Sequence, residues 1–190
     1  MKHPSARSTV WLLALLFVAP VLLAIAWHLA GQPWRPAHTV NHGTLVTPPR
    51  PLPEAALPWR GHFERAWTLV QPVEGPACDR TCQETLVLTR QVRLTFGRDM
   101  ELIRRVAVVS GDPARTAGIE RTAHPDLVFV AAEPVLRAWF ESAASGATVR
   151  LYLVDPMGNL MMYYPRDVAP RDLQADLKRL LKLSKDWLRP

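Results

Sequence analysis

Between Val10 and Ala30 the chain carries no charged residue, and Leu, Val, Ala, Phe and Trp fill nearly every position. Coiled as a helix, a run of this length matches a hydrocarbon layer about 30 Å thick. It therefore predicts one membrane span. Pro20 in its middle does not oppose this, since spanning helices tolerate proline more readily than soluble ones. Lys2 and Arg7 precede the run with no acidic residue, and a positive flank tends to stay on the cytoplasmic side. Residues 1–9 are then cytoplasmic, 10–30 form the anchor, and the remainder is translocated. Ala24-Ile25-Ala26 also has the small-x-small form of a signal-peptide cleavage site. A cleaved leader and an uncleaved anchor both remain open, although apolar character continuing through Trp27 and Leu29 is longer than a usual signal core. Either reading exports the same domain.

The residues beyond the anchor suffice for one domain. A composition that is 48% hydrophobic is compatible with a packed core. The formal charge of +6 raises the question of nucleic acid, but the chain has no basic block and no nucleic-acid motif, and an exported domain rarely meets such a partner. No nucleic-acid partner is expected. Arg90, Arg93, Arg98, Arg104 and Arg105 concentrate charge in one stretch, read either as a solvated face or as an attraction for an acidic partner or anionic headgroups. From Gly31 to Pro58 the density of proline disfavours helix and favours extended backbone. Residues 31–58 are expected to be a semi-rigid tether, with Asn41-His42-Gly43 as a turn and Leu45-Val46 able to form a short edge strand or dock on the domain. The domain proper is expected over 59–190.

Within it, Trp67 to Val73 reads as a first strand, closed by Gly75-Pro76. Asp79 to about Phe96 reads as a helix stopped by Gly97, and Leu102 to Val109 as a second strand interrupted by Arg104-Arg105. Asp126 to Ala132 gives a third strand, Pro134 to Ala144 a helix with proline at its first position, and Val149 to Val154 a fourth strand. Asp155-Pro156-Met157-Gly158-Asn159 is turn chemistry, so Leu160 to Tyr164 should return as a hairpin. The last helix runs from about Pro170 to Trp187, with Leu173, Leu177, Leu180, Leu181 and Ser184 on one face. Strand and helix alternate, which predicts an α/β domain.

The two cysteines, Cys78 and Cys82, are spaced C-x-x-x-C. In helical geometry that spacing puts both on one face, one turn apart, so they can join as a disulfide or share a soft metal. With Cys78 at the helix start, the helix dipole and free amides favour its thiolate, making it the nucleophile and Cys82 the resolving partner. Arg80 adds to that effect and Asp79 opposes it, Asp79 being itself a good capping residue. A structural disulfide is the competing reading, since an exported compartment favours oxidation. A loop this short removes little unfolded-state entropy, however, which makes a weak staple and an exchangeable bond.

Trp67-Thr68-Leu69-Val70, Cys78-x-x-x-Cys82 and Leu151-Tyr152-Leu153-Val154-Asp155-Pro156-x-Gly158 together resemble the Sco family of copper chaperones and thiol reductases. The resemblance covers roughly Trp59 to the C-terminus. It implies a thioredoxin-like sandwich behind one transmembrane helix in the inner membrane, with the domain on the periplasmic side. It also implies service to cytochrome c oxidase assembly, with an oxidase subunit or a thiol-bearing assembly factor as partner and copper as a possible cargo. Cys78 and Cys82 carry over as the exchanging or copper-binding pair. The family's histidine ligand falls near Ala147-Thr148, and Glu141 to Thr148 contains no histidine. His124 is expected to be a surface or loop residue, His62 and His42 lie at or before the domain start, and Met157, Met161 and Met162 read as core and turn residues. The third ligand is unassigned. No Gly-x-Ser-x-Gly, Gly-rich phosphate loop or His-Glu-x-x-His is present, so hydrolase and kinase chemistry find no support. The alternative to a redox factor is a non-catalytic, membrane-tethered interaction subunit that uses the pair as a staple.

Overall fold

The computed structural model describes residues 6–29, 40–74, 77–110, 118–144 and 146–188. Lys2, Ala30, Pro33, Pro36 and the Gly75-Pro76 pair lie outside them. The chain divides into two units, Met1–Val40 and Asn41–Pro190. The first contains helix α1, Ala6–Leu29, with Pro20 inside it. Its Val10–Trp27 stretch has a mean hydropathy of 2.6. A helix apolar on every side and of this length can cross a membrane.

The second unit contains, in order, β1 (Thr44–Pro51), a 3-10 turn (Glu54–Trp59), α2 (Arg60–Phe63), β2 (Trp67–Val73), α3 (Arg80–Leu94), a 3-10 turn (Gly97–Leu102), β3 (Ile103–Val109), β4 (Leu127–Ala131), α4 (Pro134–Ala144), β5 (Val149–Val154), β6 (Asn159–Pro165) and α5 (Pro170–Leu188). The strands form one six-stranded sheet in the order β1-β6-β5-β2-β3-β4. The β2-β3 and β3-β4 pairs are parallel, and β5, β6 and β1 join antiparallel. The helices expected after the first and third strands and at the end of the chain are α3, α4 and α5.

The unit starts earlier than Trp59. β1, taken from the stretch expected to be tether, pairs with β6 through Thr44 opposite Tyr163, Leu45 opposite Met162 and Arg50 opposite Leu160. Proline lacks the N–H a central strand needs but is accommodated at an edge, and β1 with Pro48, Pro49 and Pro51 is an edge strand. The proline density that disfavours helix is thus compatible with a strand here. The 3-10 turn and α2 follow, and Phe63 of α2 is fully buried.

Alternation along the strands sorts the core. Val70, Val106, Val108 and Val154 pack with Leu136, Trp139 and Phe140 of α4, whose buried residues recur at helical spacing. Leu69, Ile103 and Leu153 belong to a second cluster with Leu88 and Val92 of α3 and Leu173, Leu177 and Leu181 of α5. Ser184, on the expected buried face of α5, accepts the Trp67 indole N–H at 2.8 Å, which satisfies a polar atom in an apolar setting.

Arg104 and Arg105 do not interrupt β3. Arg105 is 1% exposed. It donates to both Asp126 oxygens at 3.0 and 3.2 Å, to the Leu86 carbonyl at 2.7 Å and to Thr89 Oγ1 at 3.0 Å. Arg93 donates to the Ile103 carbonyl and lies 3.5 Å from Asp126, while Arg104 donates to the Gly61 and Glu64 carbonyls. Much of the charge expected on one basic face is therefore engaged within the fold. A run of arginines in sequence did not reveal that an aspartate 21 residues after Arg105 would meet it.

This network makes the fold acid-sensitive. The His124 imidazole is held below its ordinary value first by burial and then by the Arg105 and Arg90 charges, against Asp126 and Glu120. Burial pushes the Asp126 carboxyl up, but the Arg105 charge and hydrogen bond, with the Arg93 charge, hold it low. Both groups bind protons less readily folded than unfolded. Their contributions are full above the unfolded values, about 6.5 for His and about 3.9 for Asp, and are lost as pH falls through each folded value. The thermal midpoint should be level above pH 7 and fall in two stages on acidification. His124→Gln should remove the upper stage and keep the lower, and a midpoint that rises from pH 7 to pH 5 would contradict this assignment.

Candidate functional site

The cysteines lie where β2 gives way to α3. Asp79 is the N-cap of α3, its carboxylate accepting from the Cys82 N–H at 2.8 Å. Cys82 is therefore in the first turn, and Cys78 stands one residue outside the cap instead of at the first helical position. The two are joined as a disulfide with their Cα atoms 5.3 Å apart. Both residues are half-buried.

Beside them is a cleft of about 890 Å³. It collects the ends of β2 and β3 at Val73, Glu74 and Ser110, with Cys82 and Thr85 from α3 and Phe140 and Glu141 from α4. The carboxyl ends of parallel strands are where α/β sheets leave such crevices. Arg150, at the start of β5, links two parts of the wall: it donates to Thr85 Oγ1 and to the Arg166 carbonyl, both at 2.7 Å.

Gln71 lies on β2 beneath the first turn of α3 and is 4% exposed. Its Nε2 donates to the Cys82 carbonyl at 2.9 Å and to Cys82 Sγ at 3.3 Å. In the sequence this residue counted only as part of a strand. The available signal was an amide at the same parity as the apolar Leu69 and Val73, hence on the same buried face.

Ala147 and Thr148 line the cleft that Cys82 lines. The position where the resemblance places a histidine is thus near the cysteine pair in space, but it offers a methyl and a hydroxyl. His124 is in the loop before β4, one of the two places expected, but it is buried at 6% exposure instead of standing at the surface, close enough to Arg105 and Arg90 to feel their charges. His42 Nδ1 is 3.5 Å from an Asp172 oxygen, and His62 is on α2. Neither these nor His124 lines the cleft. Met162 is 2% exposed, Met161 is half-buried and Met157 is 63% exposed in its turn, which are the core and turn places expected. Among the described residues no group of three or more His, Cys, Asp or Glu side chains is placed to hold a metal. Two sulfurs without an imidazole do not fit the copper site that the resemblance implies.

A mixed sheet with helices on both faces, and a cysteine pair at the amino end of the helix after a central strand, defines a thioredoxin-like protein. The family described as transmembrane-like, thioredoxin-like, C-terminal domain matches residues 67–184, and the chain belongs to it. No curated protein sequence matches the chain. The solution structure of apo Sco1 from Thermus thermophilus is similar with a TM-score of 0.56 at 19% identity, covering 77% of this chain and 100% of that one. Copper-bound ScoI from Bradyrhizobium japonicum aligns with a TM-score of 0.46 at 18% identity over 63% of this chain and 88% of its own. Copper-bound ScoI from Arabidopsis thaliana aligns with a TM-score of 0.48 at 15% identity over 65% and 89%. The fold likeness rests on the Thermus thermophilus protein.

Proposed function

We propose that this chain is a membrane-anchored, Sco-like accessory factor for cytochrome c oxidase assembly, acting by thiol–disulfide exchange at Cys78 and Cys82. The observation that carries the proposal is the closed disulfide at the amino end of α3 beside an open cleft. A bond spanning four residues adds little as a staple, and half-buried cysteines leave it partly accessible to a partner's thiolate. The partner is an oxidase subunit or assembly factor that presents thiols. The positive flank at Lys2 and Arg7 supports a domain on the periplasmic side of the inner membrane. Copper transfer would need a third donor supplied across the interface with that partner, because the pair offers only its two sulfurs as soft ligands and the cleft lining adds none besides Cys82.

The test is cytochrome c oxidase activity in membranes of cells whose chain carries Cys78→Ser or Cys82→Ser, with the amount of accumulated chain measured alongside. Either substitution is expected to abolish the chain's contribution to oxidase activity while the protein still accumulates. Full activity with both substitutions would reject exchange and leave the pair as a structural disulfide in a non-catalytic interaction subunit.

A further inference from the structure

We propose that Gln71 is a positioning residue for exchange: its buried amide holds Cys82 as the leaving sulfur and so directs a partner's attack to Cys78. This deepens the thiol-exchange reading above and rests on it.

Gln71 shares its buried face with Leu69 and Val73, which are 1% and 2% exposed. An apolar side chain there would avoid the cost of burying an amide, which is unfavourable wherever the amide is incompletely bonded. The Oε1 of Gln71 finds no donor among the described residues. Its Nε2, by contrast, contacts Cys82 twice, at the carbonyl and at the sulfur. The orientation of the amide is fixed by this pairing, since the Cys82 carbonyl only accepts and must face the nitrogen. No donor reaches Cys78 Sγ among the described residues.

This asymmetry matters when the bond opens. A disulfide sulfur is a weak acceptor, whereas a thiolate accepts a charge-assisted hydrogen bond, so the Gln71 N–H favours the open state over the closed one. The position of Cys82 in the first turn of α3 adds the positive end of the helix dipole. Asp79 works the other way, but its carboxylate is engaged by the Cys82 N–H. In the exchange, a partner thiolate forms a bond to Cys78 Sγ and the Cys78–Cys82 bond breaks, leaving its electron pair on Cys82 Sγ. A second partner thiolate then attacks the partner sulfur of this mixed disulfide and releases Cys78 as thiolate. The partner dithiol has been oxidised by two electrons and the pair reduced by two. Run backwards, Cys82 thiolate resolves the mixed disulfide at Cys78.

The experiment treats the oxidised full chain, in detergent micelles, with excess glutathione, quenches with acid at short times and maps by mass spectrometry which cysteine carries glutathione. The wild-type adduct is expected predominantly on Cys78. Gln71→Met, which keeps the volume and loses the donor, should slow opening about tenfold, the weight of one hydrogen bond to a forming thiolate, and spread the adduct over both cysteines. Gln71→Glu should slow it further. Circular dichroism shows whether each variant is folded, and the wild-type adduct position stands independently of any variant. An adduct mainly on Cys82, or a folded Gln71→Met protein with unchanged rate and distribution, would overturn the role of Gln71 and leave exchange itself intact. A wild-type disulfide that glutathione does not open would overturn exchange as well.

Discussion

Asp126→Ala is expected to lower the stability of the domain by about 3 kcal/mol, because it strands the charge of a buried arginine. Arg105 is 1% exposed and meets Asp126 at 3.0 Å on the buried side of β3. Its remaining bonds go to the Leu86 carbonyl and Thr89 Oγ1, which are neutral. The nearby charges of Arg93 and Arg90 act against it. Once the carboxylate is gone, one buried cation faces two others with no counter-charge. A shift of this size corresponds to a fall of roughly 10 °C in the melting temperature of a domain of this length. Replacing both partners, as Arg105→Met with Asp126→Leu, removes the charges together and should recover most of the loss, since a well-packed apolar pair is often as stable as a buried ion pair. Thermal unfolding of the full chain in detergent, followed by tryptophan fluorescence, reads both outcomes. An Asp126→Ala protein within about 0.5 kcal/mol of the parent would mean that Arg105 finds its compensation elsewhere.

The strands that crossed the middle of the sheet were legible because their apolar runs and bounding turns agree with their burial. Val106-Ala107-Val108-Val109 is buried throughout, as an uninterrupted apolar run suggests. The hairpin was legible for a local reason: Asp155 accepts from the backbone N–H groups of Met157 and Asn159, and Gly158 has a φ of +87°, so the turn is written in its own residues. Asp79 as the cap of α3 was legible in the same way. What sequence did not disclose depends on contacts between distant segments. A short edge strand at Leu45-Val46 was legible, but its length through Pro51 and its pairing with β6 were not, because nothing within Thr44–Pro51 announces that partner. Gln71 gains its place in the site from α3 lying over β2, and Ala147-Thr148 gain theirs from the cleft that β5 enters. His124 read as a surface or loop residue from its place before the third strand; it is in the loop, but its burial depends on the fold around it, which also brings the Arg105 and Arg90 charges near from distant parts of the chain.

Gly43→Ala should be the most damaging exchange of a single methyl group in the domain. A Cβ built at Gly43 would stand 2.5 Å from Met162 Sδ and 2.6 Å from Tyr164 Cε1. Tyr164 is fully buried and Met162 is 2% exposed, so neither has open space to move into. Gly43 is also held through its backbone. The backbone N–H groups of His42 and Gly43 donate to the Asp176 carboxylate at 2.9 and 3.0 Å, and the Tyr164 hydroxyl donates to the same oxygen at 3.2 Å. Asp176 itself is 2% exposed on α5. Any outward shift that relieves the methyl group therefore lengthens hydrogen bonds to a buried carboxylate. Overpacking costs about 1–3 kcal/mol, and an unsatisfied buried polar group adds about 1–3 kcal/mol, so a loss of about 3 kcal/mol is expected. The damage should centre on β1, the strand through which the segment after the anchor enters the sheet. Protease cleavage within Thr44–Pro51 should appear in Gly43→Ala well below its melting temperature and be absent from the parent. Met162→Ala added to Gly43→Ala opens room for the methyl and should restore protection, although it removes core volume of its own. If Gly43→Ala instead melts and resists cleavage like the parent, the close approach of the 41–43 turn to β6 is not what fastens β1, and its pairing with β6 and the Asp176 hydrogen bonds suffice to hold it.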